Sequence, residues 1–223
     1  MSAPLYEHLL AYAKQNRISF AMPGHKNGRG LKKDLLSLDV TELSATENLI
    51  HPGEYVLKAQ ELLSNLYGSD KSYILTGGST SAIQSMICAS VKPSGTLLSA
   101  GDCHMSVINT CALLGINLKL FPKEIDNNFS VPKGAGTLKE YLTDDIDAVI
   151  ITSPNYYGIC SDIKNIAEEC HKKNIPLLVD EAHGAHFIAS DLFPQTAVKY
   201  ADAVCQSAHK TLNAMNGSSY LHI

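Results

Sequence analysis

The spacing of hydrophobic positions changes along this chain, and the changes mark out its elements. From Glu54 to Tyr67 the apolar residues Val56, Leu57, Leu62, Leu63 and Leu66 recur at helical spacing, and Gly68 ends the run. Beyond it, short apolar runs of strand length alternate with helical stretches. Ser72 to Thr76, Thr96 to Ala100, Leu118 to Phe121, Ala148 to Thr152, Pro176 to Asp180, Ala203 to Gln206 and Ser219 to Ile223 read as strands. Ser79 to Val91, Met105 to Leu114, Leu138 to Leu142, Ile163 to Lys173 and Thr196 to Tyr200 read as helical, and Pro122 to Gly136 as turns. Strands linked by helical crossovers predict an α/β domain with a mostly parallel sheet.

The stretch before this alternation has another character. Pro4 to Lys14 predicts a short amphipathic arm, Ala21 to Gly30 is broken by Pro23, Gly24 and Gly28, and Thr41 to Gly53 is irregular. The chain therefore divides into an N-terminal arm with loops over 1–53 and an α/β domain over 54–223. Because the strand from Ser219 enters the sheet with nothing after it to close the core, the sequence is expected to be part of a larger unit.

Composition narrows the chemistry. With 223 residues, 45% hydrophobic and 18% charged, the chain has the make-up of a globular protein with a sizeable core. A net charge of -4 without any Lys/Arg cluster gives no footprint for nucleic acid or an anionic membrane, which leaves a small molecule as the expected partner. No apolar run reaches the roughly 18 residues of a membrane span, and Met1 to Leu10 lacks a signal pattern, so the expected location is cytoplasmic. Six cysteines without a C-x-x-C read as buried free thiols of a reducing compartment, Cys103 being set apart by its neighbour His104.

The strand ends hold the residues that can do chemistry. Asp180 closes one apolar run and Lys210 follows the next, thirty residues on, the length of one βαβ unit. That spacing puts a carboxylate and an amine at one edge of a parallel sheet, where crevices form. A buried carboxylate needs a cationic partner, and a protonated pyridine nitrogen is one. An anchored acid beside a lysine able to form an imine is what a pyridoxal phosphate site requires. At the same edge, Thr76-Gly77-Gly78-Ser79-Thr80 ends a strand and opens a helix, where backbone N–H groups and the hydroxyls of Ser79 and Thr80 suit a phosphate; as a motif in isolation it is equally a turn with an N-cap. Ser207 and His209 add a hydroxyl and an imidazole just before Lys210, and His104 follows the strand that ends at Ala100. His183 and His186, with Asp180 and Glu181, also have a metal-ligand spacing, but a metal would leave the glycine turn and Lys210 without a role, so none is expected.

Taken in order, Pro23-Gly24-His25-Lys26, Asp39-Val40-Thr41-Glu42, Tyr67-Gly68, Gly78-Ser79-Thr80, His104, Thr152-Ser153-Pro154-Asn155-Tyr156-Tyr157-Gly158, Asp180-Glu181-Ala182-His183-Gly184 and Ser207-Ala208-His209-Lys210 resemble the Orn/Lys/Arg decarboxylases of prokaryotic type. These are pyridoxal phosphate enzymes of fold type I. The resemblance implies that Lys210 forms the imine with the cofactor, that Asp180 partners the pyridine nitrogen, that His104 stacks on the ring and that His183 lies near the imine. It implies that Gly78, Ser79, Thr80, Ser207 and His209 hold the phosphate. It further implies decarboxylation of arginine, lysine or ornithine to a polyamine-pathway amine by a homodimer or larger homo-oligomer. Family members continue beyond the lysine into a C-terminal domain, so activity of this stretch alone is left open. Two alternatives stay open as well: another fold type I reaction, by an aminotransferase or a lyase, and a non-catalytic partner of a full-length paralogue.

Overall fold

Four strands with almost every residue buried form the centre of the protein: β2 (Thr96–Ala100), β6 (Ala148–Thr152), β7 (Leu177–Asp180) and β8 (Ala203–Gln206). Covered on both faces, they carry continuous apolar runs rather than an in-out alternation, which is why the sequence announces them so clearly. The computed structural model describes residues 47–223 together with Ile18. The predicted arm from Pro4 to Lys14, the loop from Ala21 to Gly30 and the motifs around Pro23 and Asp39 lie outside the described residues.

The sheet has seven strands in the order β1-β9-β8-β7-β6-β2-β3, with β1 at Ser72–Leu75, β3 at Asn117–Phe121 and β9 at Ser219–His222. All neighbours run parallel except β9, which lies antiparallel between β1 and β8. The strand expected from Ser219 thus sits inside the sheet, hydrogen-bonded on both sides. A separate two-stranded ribbon, β4 (Ile125–Asp126) with β5 (Val131–Pro132), occupies the turn-rich stretch.

One face of the sheet packs Leu97, Ile150, Leu178, Cys205 and Leu221 against α2 (Gly78–Ser90) and α3 (Met105–Leu114). The other packs Leu98, Val149, Ile151, Val179 and Val204 against α4 (Ile163–His171). Each such side chain, fully buried, contributes about 1.5–3 kcal/mol. The helix α1 (Glu54–Tyr67) ends at Gly68, whose left-handed backbone (φ +73) returns its N–H to the Ser64 carbonyl. Among the described residues, no helix is long and apolar enough to cross a membrane.

Two expected helices differ. Leu138 and Leu142 are both buried, but the backbone makes a single turn rather than a helix. The Leu138 carbonyl accepts from Tyr141 and Leu142 at 2.8 and 3.2 Å, and the next N–H, of Thr143, goes instead to the Tyr141 carbonyl at 3.0 Å. The Glu169 carboxylate on α4 takes up the Leu138 N–H at 2.7 Å. Thr196 to Tyr200 contains a three-residue 3₁₀ turn, Ala197–Lys199. The cysteines are all free, and Cys111, Cys170 and Cys205 are buried; Cys103, set apart in the sequence, is half-buried, while the exposed Cys88 and half-buried Cys160 correct the expectation of buried thiols.

A row of buried polar side chains crosses β7, β8, β9 and β1. Glu181 accepts from Gln206 Nε2 at 2.6 Å, Gln206 Oε1 faces His222 Nε2 at 3.2 Å, and His222 Nδ1 lies 2.7 Å from Ser72 Oγ. With the Gln206 amide committed to Glu181, its oxygen accepts the His222 Nε2–H, and Nδ1 accepts the Ser72 hydroxyl proton. The neutral imidazole is thereby satisfied, and burial depresses its pKa from 6.5 to about 4. Above pH 6.5 the ring is neutral folded or unfolded; as pH falls below that, the unfolded chain takes up the proton first and stability is lost until about pH 4. Glu181, pushed up from 4.5 to about 7 by burial, acts in the opposite sense over an overlapping window. A His222→Gln variant isolates the histidine: urea denaturation at neutral pH and at about pH 4.5 should show wild-type losing about 2 kcal/mol more than the variant. An equal decline in both proteins would remove His222 as the cause.

Candidate active site

The carboxyl ends of the parallel strands bring the predicted residues to one edge. Thr152 on β6 pairs in register with Asp180 on β7, and Asp180 with Cys205 on β8. Asp180 is 3% exposed; its Oδ1 accepts the Ala182 N–H at 3.1 Å and the Cys205 thiol at 3.5 Å. Among the described residues Oδ2 has no hydrogen-bond partner, so one carboxylate oxygen is held and the other is presented.

Lys210 sits on the one-turn helix α5 (Ala208–Thr211), directly after β8. Its Nζ lies 2.9 Å from His183 Nε2. Burial lowers the Lys210 pKa below the usual lysine range, against the opposing pull of Asp180 and Cys205. His183 is lowered as well, first by burial and then by the Lys210 charge, with Asp180 opposing. An amine with reduced proton affinity beside an imidazole able to take its proton is an activated nucleophile for a carbonyl. The spacing of Asp180 and Lys210 in sequence translates into this shared edge.

The anion-binding elements come together through the segment that follows α5. Gly217 accepts the Gly78 N–H at 2.8 Å, and Ser218 accepts from the His209 backbone N–H at 3.3 Å and from His209 Nδ1 at 2.9 Å. This stitches the start of α2 to the Ser207-to-Lys210 turn. Gly78 has φ +71, a conformation that suits glycine. With its N–H engaged, Gly78 shapes the turn, while α2 starts without a side-chain cap and leaves the first-turn N–H groups of Ser79 and Thr80 for an anion. Ser207 Oγ is buried without a hydrogen-bond partner, and so is Thr152 Oγ1. Orphaned buried hydroxyls at a sheet edge mark a place built for a polar group. The donors, the buried acid and the amine fit pyridoxal phosphate.

His104 caps α3, its Nδ1 accepting the Ser106 N–H at 3.1 Å, and it is exposed at the same edge, close enough for its charge to bear on His183. The pattern after Ala100 predicted its place but not this capping. His186 packs against Phe187 and Phe193, with ring centroids 4.8 and 4.7 Å away. Three participants went unassigned in the sequence: Thr152, Cys205 and Tyr156, whose ring is 85% exposed with its centroid 6.3 Å from that of His183. Thr152 and Tyr156 lie within a quoted motif, and their closeness to the strand end was the signal; for Cys205, inside an apolar run, there was none.

Strand order, the antiparallel β9 and a lysine after β8 give this chain the large-domain fold of the fold type I pyridoxal phosphate enzymes. The lysine decarboxylase LdcF of Francisella novicida shares the fold at a TM-score of 0.67 and 24% identity, over 98% of this chain and 35% of that one. The chain belongs to the Orn/Lys/Arg decarboxylase family, whose major domain it matches over residues 3–223. It is 42% identical to the uncharacterised protein YaaO of Bacillus subtilis (strain 168), over all of this chain and 49% of the relative. It is 30% identical to an arginine decarboxylase of Halalkalibacterium halodurans, over 99% of this chain and 48% of the relative. The chain thus spans about half the length of these relatives.

Proposed function

We propose that residues 54–223 form the cofactor-binding domain of a cytoplasmic carboxy-lyase that removes the α-carboxylate of arginine, lysine or ornithine. The observation that carries this reading is the Lys210–His183 contact at 2.9 Å beside a buried Asp180 with one oxygen free. Lys210 is the group that bonds pyridoxal phosphate, with His183 positioned to receive the proton the amine gives up. Asp180 Oδ2 partners the pyridine nitrogen and keeps it protonated. Ser79, Thr80, Ser207 and His209 hold the phosphate around the Gly78 turn, and His104 covers the ring. What the cofactor supplies when bound is an electron sink for the pair left at Cα as carbon dioxide departs.

The same reading makes the protein a homodimer or larger assembly. Helix α1 buries Gln60, Ser64 and Tyr67 and exposes Tyr55, Leu62 and Leu66 at 75, 62 and 60%, an apolar stripe turned outward. A second copy covering that stripe accounts for it. The substrate test is product analysis: with pyridoxal phosphate present, one of the three amino acids should yield carbon dioxide and its amine in equal amounts. Formation of a keto acid instead would make the protein an aminotransferase.

A further inference from the structure

Glu181 follows Asp180 in sequence but serves the opposite face of the sheet. Asp180 meets Cys205, which packs with α2 and α3, whereas Glu181 reaches Ala197, which packs with the α4 side. Glu181 is 2% exposed. Its Oε1 accepts the Ala197 N–H at 2.7 Å, and its Oε2 accepts the Thr196 hydroxyl at 2.7 Å and the Gln206 amide at 2.6 Å. Its backbone is tied as firmly, the N–H to the Cys205 carbonyl at 2.9 Å and the carbonyl to the Gly184 N–H at 2.9 Å.

These bonds enclose the turn that carries His183. A Cβ at Gly184 would come within 2.5 Å of Glu181 Cγ, so the turn lies directly on this side chain. Its far end is pinned from α1, where the Tyr67 hydroxyl donates to the Ala185 carbonyl at 2.7 Å. Burying a carboxyl group costs several kcal/mol unless donors surround it, and an apolar residue would stabilise the core as well. What a carboxyl group provides here is direction: three donors from β8 and from the 3₁₀ turn fix one position of the 181–184 backbone.

We propose that Glu181 is a positioning residue, setting the His183 ring against Lys210 through the turn it anchors. The proposal rests on the reading of Lys210 and His183 as the cofactor-bonding pair, but its consequence is visible without cofactor. Lys210, Asp180 and His104 are the charged or titratable groups whose fields reach His183, and the Tyr156 ring lies beside it. In Glu181→Gln an amide N–H₂ confronts donors, and the turn loosens. His183 then gains water and leaves Lys210, both of which raise its pKa. Glu181 is not among the charges that reach His183, so loss of its charge alone would leave the midpoint where it is, and a rise discriminates.

The experiment is an NMR titration of ring-labelled histidines in the cofactor-free protein, the His183 signal being assigned with His183→Asn. Glu181→Gln should move the His183 midpoint up by about half a pH unit toward the ordinary value. Covalent capture of pyridoxal phosphate on Lys210 at sub-saturating cofactor should fall about tenfold. The double variant Glu181→Gln/Gln206→Glu, which returns a carboxylate to the same hydrogen bond, should restore the midpoint. Thr196→Val, removing one donor, should shift it in the same direction by less, and it serves if Glu181→Gln does not fold. An unmoved or lowered midpoint overturns the proposal. So does a rise that follows thermal destabilisation and is not restored by the double variant. If wild-type protein captures no cofactor, the reading of Lys210 fails, while the His183 midpoint still decides the role of Glu181.

Discussion

Replacing Lys210 with alanine is expected to abolish covalent capture of pyridoxal phosphate and to slow amine release by about 10³-fold or more while leaving the fold intact. The size of the effect follows from the environment of the amine. Nζ is half-buried, its proton affinity is lowered by that burial, and its neighbour at 2.9 Å is an imidazole whose own affinity is lowered too. No other lysine of the described chain is shown against such a partner: Lys92, Lys119, Lys123 and Lys133 are in ion pairs with carboxylates. Because the ammonium is partly desolvated in the fold, its removal relieves a cost as well as a contact, so stability should change little. The check is absorbance and mass spectrometry after borohydride reduction, alongside thermal unfolding. A variant that still carries the reduced cofactor would assign the bond to another residue.

Asp180→Asn should weaken cofactor binding and amine formation by about 10²–10³-fold. This is the range expected when one member of a buried charge pair is neutralised, about 3–5 kcal/mol. Oδ1 is committed to the Ala182 N–H and the Cys205 thiol, so the charge available to a pyridinium is on the free Oδ2. An asparagine can keep the first contact and present an amide, which neither attracts a cation nor keeps a pyridine nitrogen protonated. The substitution has a second consequence with a definite sign. Asp180 raises the pKa of Lys210 against burial, so without it burial acts unopposed by that charge and Lys210 should titrate lower still. A cofactor titration by absorbance at several pH values reads both. Affinity within threefold of wild type would mean that the pyridine nitrogen has another partner.

The strands were legible because β2, β6, β7 and β8 are covered on both faces, which makes each a mostly apolar run, with Ser99 the polar residue inside one. Their carboxyl ends were legible for the same reason: Asp180 and Gln206 are the first polar residues after their runs, and the edge that Asp180 and Ser207 mark is where open α/β sheets place their sites. What could not be read depends on partners remote in sequence. Leu138 and Leu142 have helical spacing, but the single turn between them stops where the Thr143 N–H goes to the Tyr141 carbonyl, and the Glu169 carboxylate ties its start to α4. The run from Ser219 reads as a strand, yet nothing in it says that it pairs antiparallel with both β1 and β8. Glu181 reads as one half of an acidic pair with Asp180. Only the donors from Thr196, Ala197 and Gln206 reveal that the two carboxyl groups face opposite sides and have separate tasks.

The central claim is that Asp180, His183, Ser207 and Lys210 form one cradle for pyridoxal phosphate. The measurement that tests it most directly is the site of covalent attachment. Protein saturated with pyridoxal phosphate, reduced with borohydride and digested, should carry a single pyridoxyl group on the peptide containing Lys210. Label spread over surface lysines, or none on Lys210, would contradict the claim.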